Sequence, residues 1–444
     1  MKKHLLNNLI FLITLGCLTS CYVSTQQTVK TADLNIWVNE NEKEIIEEVI
    51  TEWNANHIKN QQFNVSYTIY DETECVEMFN EMYDDNDAPS MMLIDDKDIP
   101  TLAFNGMLEE VKGDKKEQLL LDNTEFSLKG STFDSKLYSY PISSDSGYFL
   151  WYNSEYLLED SKSSLEDILK YAKDNNKKVY FNFNDGYYLS SLFLSPSACG
   201  LDSMKYEIIK EESEDKKEIV TKVAYHTNWN EQSSKGLTVL NYMFNLLYPY
   251  YSSNTLVTDD TNLIDGFNDG SIIAAIYDSS LELALKDSMK NTLKADKLPS
   301  YHINDKAYQM ASYTGNKAYV INKYASVEEQ VTAASLASLL VSQETQLKRY
   351  EKYLAIPTNK NALRNSVFID NKPMSTIALE KQRNYSVQAS LYVENRYYET
   401  ISYIVQKMYV DLLDSSELRQ LFIDEINKLK EPKVIQENKK NFFN

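Results

Sequence analysis

The chain has 444 residues, a formal net charge of −20, and 43% hydrophobic against 25% charged residues. This length suggests two lobes or domains, each large enough to bury its own core. The acidic balance excludes nucleic acid, whose phosphates require clustered Lys and Arg, and argues against an anion held by bulk electrostatics, while being ordinary for a chain kept dispersed in solution.

Met1-Lys2-Lys3-His4 precedes an apolar run from Leu9 to Gly16, and then Leu18-Thr19-Ser20-Cys21. A basic start, a short apolar stretch and small residues before a cut site describe a secretory signal over residues 1–20, too short to span a bilayer. Leu18 to Cys21 resembles the bacterial lipobox, in which the cysteine is acylated and becomes the first mature residue. Acyl chains at Cys21 would tether the chain to the outer face of the cell membrane, each buried methylene contributing ~0.8 kcal/mol. An ordinary signal peptide that happens to contain Cys21, or an N-terminal hydrophobic anchor, are the alternatives. Residues 21–32, rich in Ser, Thr and Gln without periodicity, read as a flexible tether.

Asp33 to Val38 alternates as a short strand does. Glu44 to Ile58 carries Ile45, Ile46, Val49, Ile50 and Trp53 at helical spacing. A strand over Phe63 to Ile69 follows, then a helix near Glu72 to Tyr83. Ser90 to Ile94 is a continuous apolar run suited to a central parallel strand. Val179 to Phe183 predicts a strand, Lys235 to Tyr248 a helix, Gly266 to Gly270 a helix end and turn, and Ser271 to Tyr277 another strand. Lys210 to Lys217 is a charged interruption, read as a solvated loop or hairpin tip. Val327 to Arg349 and Arg396 to Lys430 are helical almost throughout, and a polar, frayed tail is expected over 433–444. The alternation predicts an α/β chain with mixed sheets covered by helices. No repeat period is visible.

Cys17 lies in the leader and Cys21 is the anchor, leaving Cys75 and Cys199 without a C-x-x-C pair; two buried thiols are expected. His57, His226 and His302 show no metal-ligand spacing, and no hydrolase or phosphate-loop motif is present. No cofactor is therefore expected. Tyr occurs 33 times and Gly only 11; tyrosine suits surfaces that stack on sugar rings and bond their hydroxyls, although most Tyr residues pack or lie on the surface.

Several stretches, in order, carry a resemblance: Leu34 to Val38, Ala103-Phe104-Asn105-Gly106-Met107-Leu108, Ser135 to Ile142, Phe149-Leu150-Trp151-Tyr152-Asn153-Ser154-Glu155-Tyr156, Asp265 to Gly270, Lys297-Leu298-Pro299 and Tyr308 to Gly315. Together they resemble the bacterial extracellular solute-binding proteins of the maltose and maltodextrin type, the lipoprotein components of ABC sugar importers. The resemblance implies a two-lobed periplasmic-binding-protein-like fold of type II with the ligand cleft between the lobes. It implies an N-terminal lobe of 33–141 and 317–355 and a C-terminal lobe of 142–316 and 356–432, with crossings near Tyr140 to Ser144, Tyr313 to Asn316 and Ala355 to Thr358. Pro141 and Pro357 suit connectors, or equally strand ends within one lobe.

In such folds ligands bind at the carboxyl ends of strands. The resemblance then offers Asn39, Asn41 and Glu42 after the first strand; Asp95, Asp96 and Lys97 after Ile94; Asp145 between lobes; and the pair Asp185 and Tyr187. The alternatives are a helix-start charge cluster for Asp95 to Asp98 and a capping role for Asp145. Where the maltodextrin binders carry tryptophans, this chain has Ile94 and Ser280, and near the last aromatic platform Arg396-Tyr397-Tyr398, so Ser280 and Tyr397 complete the candidate set. Tyr250, Tyr251, Tyr277 or Trp229 are possible compensating rings.

The expectation is a monomeric, non-enzymatic protein that captures an oligosaccharide by hinge closure and delivers it to membrane permease subunits driven by a separate ATPase. A surface glycoside hydrolase using Asp95, Asp145 and Asp185, or a glycan-sensing lipoprotein without a transporter, are the alternatives. A peptide or polyamine ligand stays open.

Overall fold

The computed structural model describes residues 31–158, 162, 164–195, 198–199, 205–212, 219–232, 235–381, 386–388, 394–409, 411 and 413–437. The expected leader, Cys21 and most of the expected tether lie outside these residues.

The chain begins with β1 (Asp33–Val38), α1 (Glu40–Asn56), β2 (Asn64–Ile69), α2 (Glu72–Met82) and β3 (Met91–Asp95). β4 (Ser139–Gly147) runs almost directly into β5 (Phe149–Asn153), followed by β6 (Lys178–Phe181), α3 (Gly186–Phe193), β7 (Leu256–Val257), β8 (Ile272–Tyr277), α4 (Ser280–Leu285) and β9 (Leu293–Asp296). β10 (Ser312–Ile321) leads to α5 (Val327–Leu340) and α6 (Gln343–Tyr353), and β11 (Ser386–Gln388), α7 (Glu394–Tyr409) and α8 (Ser415–Lys430) come last.

Two sheets organise these elements. The first has the order β11-β10-β3-β1-β2, with β4 also paired to β10; the second has the order β7-β6-β8-β5-β9. β1 is parallel to both β2 and β3. Met91 to Ile94 are all buried, as the unbroken apolar run requires of a strand covered on both faces. β8 holds the equivalent central place, parallel to β6 and antiparallel to β5. Each sheet has its own apolar layers: Ile36, Leu93, Tyr319 and Leu336 in the first lobe, Leu150, Phe181, Trp229 and Ile404 in the second. The architecture is mixed α/β and two-lobed.

β4 and β10 join the lobes. They run antiparallel, with Thr314 opposite Gly147 and Lys317 opposite Ser143. A third segment lies alongside, where Ser143 bridges to Pro357 and the Ser144 N–H donates to the Ile356 carbonyl at 2.8 Å. α6 also sits at the junction: Arg349 reaches Glu42 on α1, while Tyr350 packs edge-on against Phe368, 5.0 Å between ring centroids.

Two local readings differ. The helix expected over Lys235 to Tyr248 is α-helical at Gly236–Tyr242, turns to π geometry at Met243–Leu247, and resumes at Tyr248–Ser252. Pro249 supplies no N–H and its ring crowds the carbonyl four residues back, so the regular ladder cannot run through. Residues 433–444 are not wholly a loose tail: Lys433–Glu437 pairs antiparallel with Ile219–His226, where β-branched Val434 and Ile435 favour extended backbone. Lys205–Glu212 and Ile219–His226 form a hairpin; its tip, residues 213–218, lies outside the described residues. Cys75 and Cys199 are buried thiols in opposite lobes. Among the described residues no helix is long and apolar enough to cross a membrane.

Candidate functional cleft

A cleft of about 510 Å³ opens between the lobes above β4 and β10. The first lobe contributes Asn39, Asn41 and Glu42 from the start of α1, Lys317 from β10, and Arg349 and Tyr353 from α6; the second contributes Tyr187, Tyr188, Asp278, Ser279 and Ser280; Asp145, Ser146 and Gly147 form the floor.

Asn39 is the N-cap of α1, its side-chain oxygen accepting the Glu42 N–H at 2.9 Å, as an exposed donor at a helix start requires. Its amide donates to Glu72 at 2.8 Å, and Lys317 Nζ lies 2.6 Å from the same carboxylate oxygen. Burial alone would push the Lys317 amine down, but Glu72, Asp95 and Asp145 outweigh it and hold the amine above its ordinary value. Glu42 is committed elsewhere: both its oxygens accept from Arg349, at 2.5 to 3.0 Å, and the Tyr319 hydroxyl donates to it as well. This buried pair fastens α1 to α6 beneath the cleft.

Asp145 accepts the Ile356 N–H at 2.6 Å, which ties the β4 crossing to the third connecting segment. The Ser279 hydroxyl donates to the Asp145 carbonyl at 3.4 Å. On the opposite wall Asp278 accepts from both the N–H and the hydroxyl of Ser280, at 2.8 and 2.5 Å. Gly147 has φ +117°, and a Cβ there would lie 2.9 Å from the Tyr313 carbonyl oxygen; only glycine meets both demands.

The aromatic side of the cleft is a tyrosine cluster. Tyr187 stacks on Tyr313 (5.5 Å, 14°) and meets Tyr148, Tyr188 and Tyr398 edge-on at 5.2, 5.3 and 5.7 Å. The Tyr148 hydroxyl donates to the Tyr187 carbonyl at 2.8 Å. Burial, with Asp278 adding, raises the Tyr188 phenol.

Of the residues singled out in the sequence, Asn41, Glu42, Asp145, Tyr187 and Ser280 meet in this cleft, with Asn39. The others lie elsewhere. Asp95 ends β3 beside Lys317, its carboxyl raised by burial against the opposing pull of Lys317. Asp96 is buried under the crossing, where Asn316 donates to it at 2.6 Å, and Lys97, close enough to Asp98 and Asp95 to favour their charged forms, does not line the cleft. Asp185 caps α3, accepting the Tyr187 N–H at 2.8 Å. Tyr397 is fully buried in the second lobe's core, edge-on to Trp229 at 4.9 Å. Ile94 and Trp229 are likewise core residues. Tyr188, Asp278, Lys317 and Tyr353 were not singled out for the cleft; Asp278, one residue past β8, follows from the rule that strand carboxyl ends carry sites.

A family model described as bacterial extracellular solute-binding protein matches residues 48–376. A sequence search of curated proteins gives no significant match. By structure, the chain is similar to the maltodextrin binding protein of L. casei BL23 solved without ligand, with TM-score 0.72 and 15% identity over 90% of this chain and 99% of that one. It is also similar to the Staphylococcus aureus extracellular solute-binding protein in complex with maltose (0.66, 14%, 89% and 96%). A third is an ABC transporter solute-binding protein from Thermotoga lettingae bound with α-D-tagatose (0.64, 17%, 90% and 100%).

Proposed function

The chain belongs to the bacterial extracellular solute-binding protein family, and on that premise we propose that it captures an oligosaccharide between its lobes and hands it to an ABC permease driven by a separate ATPase. The observation that carries the reading is the cleft itself: Tyr187 and Tyr188, with Asp278 and Ser280 beside them, face Asn41, Lys317 and Tyr353 of the first lobe across two connecting strands. Tyr187 and Tyr188 offer the apolar ring surface that a pyranose covers, while Asn41, Asp145, Ser280 and Lys317 offer directional bonds for its hydroxyls. Structural relatives in complex with maltose and with α-D-tagatose support a sugar. Closure about β4, β10 and the segment near Pro357 would follow from ligand binding both walls at once, since a ligand shifts a conformational equilibrium only by its differential affinity. No bond of the ligand need break. The lipobox-like Leu18 to Cys21 supports a chain tethered by lipid outside the cell.

The test is thermal unfolding of a chain beginning at Tyr22 against maltodextrins, other oligosaccharides, amino acids and peptides. A ligand specific for the folded state adds about 2.7 kcal/mol at a hundredfold excess over its Kd. An oligosaccharide that stabilises the protein, and ceases to do so in Tyr187→Ala and Asp145→Ala, is the expected result. Stabilisation by amino acids or peptides with none by sugars would overturn the substrate class.

A further inference from the structure

A second cavity, about 650 Å³, lies in the C-terminal lobe outside the cleft. It is walled by the rings of Tyr251, Tyr398, Tyr403 and Tyr409, with the carboxylates of Asp185 and Glu399 among them. Tyr398 is the partition: it touches Tyr187 of the cleft edge-on at 5.7 Å and also lines the second cavity. No lysine, arginine or histidine is among the described residues lining it. The walls are held from behind, since Phe183 meets Tyr251 and Tyr409 edge-on at 5.2 and 5.0 Å. Tyr248 stacks on Tyr409 at 5.5 Å and 7°, and the Tyr409 hydroxyl donates to the Met243 carbonyl at 3.1 Å.

From this geometry we propose that the cavity is a second ligand site and that it takes an organic cation, a molecule bearing an ammonium group. Ring faces attract cations through their quadrupole, and two carboxylates, with no basic side chain among the described lining residues, favour a cation over a neutral ligand. The outer part of the wall already uses this chemistry, with Lys407 Nζ lying 5.5 Å from the Tyr403 ring centroid. Asp185 therefore serves this cavity and not the sugar cleft, while the α3 backbone it caps carries Tyr187 into the cleft. The site is independent of the cleft reading.

The experiment is calorimetric titration of the chain beginning at Tyr22 with choline, and separately with its uncharged isostere 3,3-dimethylbutan-1-ol. Choline is expected to bind, more weakly at high salt, and the isostere at least about tenfold more weakly. Tyr403→Ala and Glu399→Gln, both at exposed positions, should each weaken choline roughly threefold to thirtyfold and leave oligosaccharide stabilisation unchanged. Equal binding of the isostere, choline binding indifferent to both substitutions, or no choline binding at all would each overturn the proposal.

Discussion

Asp98 is 4% exposed, and burial pushes its carboxyl from 3.8 up to about 7, with Lys97 opposing and Asp95 adding. The folded state therefore holds its proton more tightly than the unfolded chain does. As pH rises through 3.8 the unfolded state ionises freely while the folded state resists, so stability falls until about pH 7, where the native carboxyl ionises too. A displacement from 3.8 to about 7 corresponds to roughly 4 kcal/mol at most. Asp98→Asn keeps the shape and removes the charge, so it should stabilise the protein by about 2–4 kcal/mol at pH 8. The difference should shrink to below about 1 kcal/mol at pH 4, where the native carboxyl is protonated and the unfolded one is only about half ionised. Urea unfolding of both proteins at pH 4, 6 and 8 measures this directly. Equal stability at pH 8, or a variant whose gain does not shrink toward pH 4, would refute the argument from burial. Asp98 lines no part of the cleft, so ligand stabilisation should survive the substitution.

Arg349→Met leaves Glu42 buried without its cation and the Leu340 carbonyl without its donor. The expected loss is about 3–5 kcal/mol by urea unfolding, largely recovered in the Glu42→Gln/Arg349→Met double variant; a loss below about 1 kcal/mol would mean that the pair holds nothing together. Gly147→Ala meets both a positive φ and the Tyr313 carbonyl, and should lower stability by about 1–3 kcal/mol; an unchanged melting temperature would contradict that strain. Burial raises the Cys75 thiol to about 12, with Glu72, Asp71 and Glu74 adding. A thiol-disulfide reagent at pH 8 should therefore label Cys75 only on unfolding, and rapid native-state labelling mapped to Cys75 would count against it.

The sheets were legible because burial on two faces writes continuous apolar runs, as at Met91 to Ile94 and Ile272 to Ile276. Side-chain direction at helix starts was harder to read. Asp185 is the extended N-cap of α3 and Tyr187 its second residue, so the chain turns between them, and one lines the second cavity while the other lines the cleft. Proximity in sequence suggested a pair where geometry separates them. Tyr397 was legible in principle: with Ile401, Ile404, Val405 and Met408, all buried, it follows the i, i+4, i+7, i+8, i+11 spacing of a core-facing stripe. Its neighbour Tyr398, about 100° away, is the ring that reaches the second cavity. The charge run Asp95 to Asp98 gave no sign of dividing, yet Asp96 and Asp98 turn inward while Lys97 is half-buried, because a single 3₁₀ turn there sends successive side chains to different sides.

The pairing of charges in the cleft limits its ligand. Glu42 is matched by Arg349 and Glu72 by Lys317, so the first lobe presents little net charge. Asp145 and Asp278 remain on the floor and far wall, each with one carboxylate oxygen fixed by a backbone N–H. Fixed acceptors favour a ligand that donates hydrogen bonds, as sugar hydroxyls do, while an anion would meet two carboxylates that it could not approach without their protonation. Phosphate, sulfate and citrate should accordingly leave the melting temperature unchanged, and should not compete with any oligosaccharide found to raise it. Competition by any of the three, abolished in Lys317→Met, would show that Lys317 is released from Glu72 to bind an anion and that the charge argument is wrong.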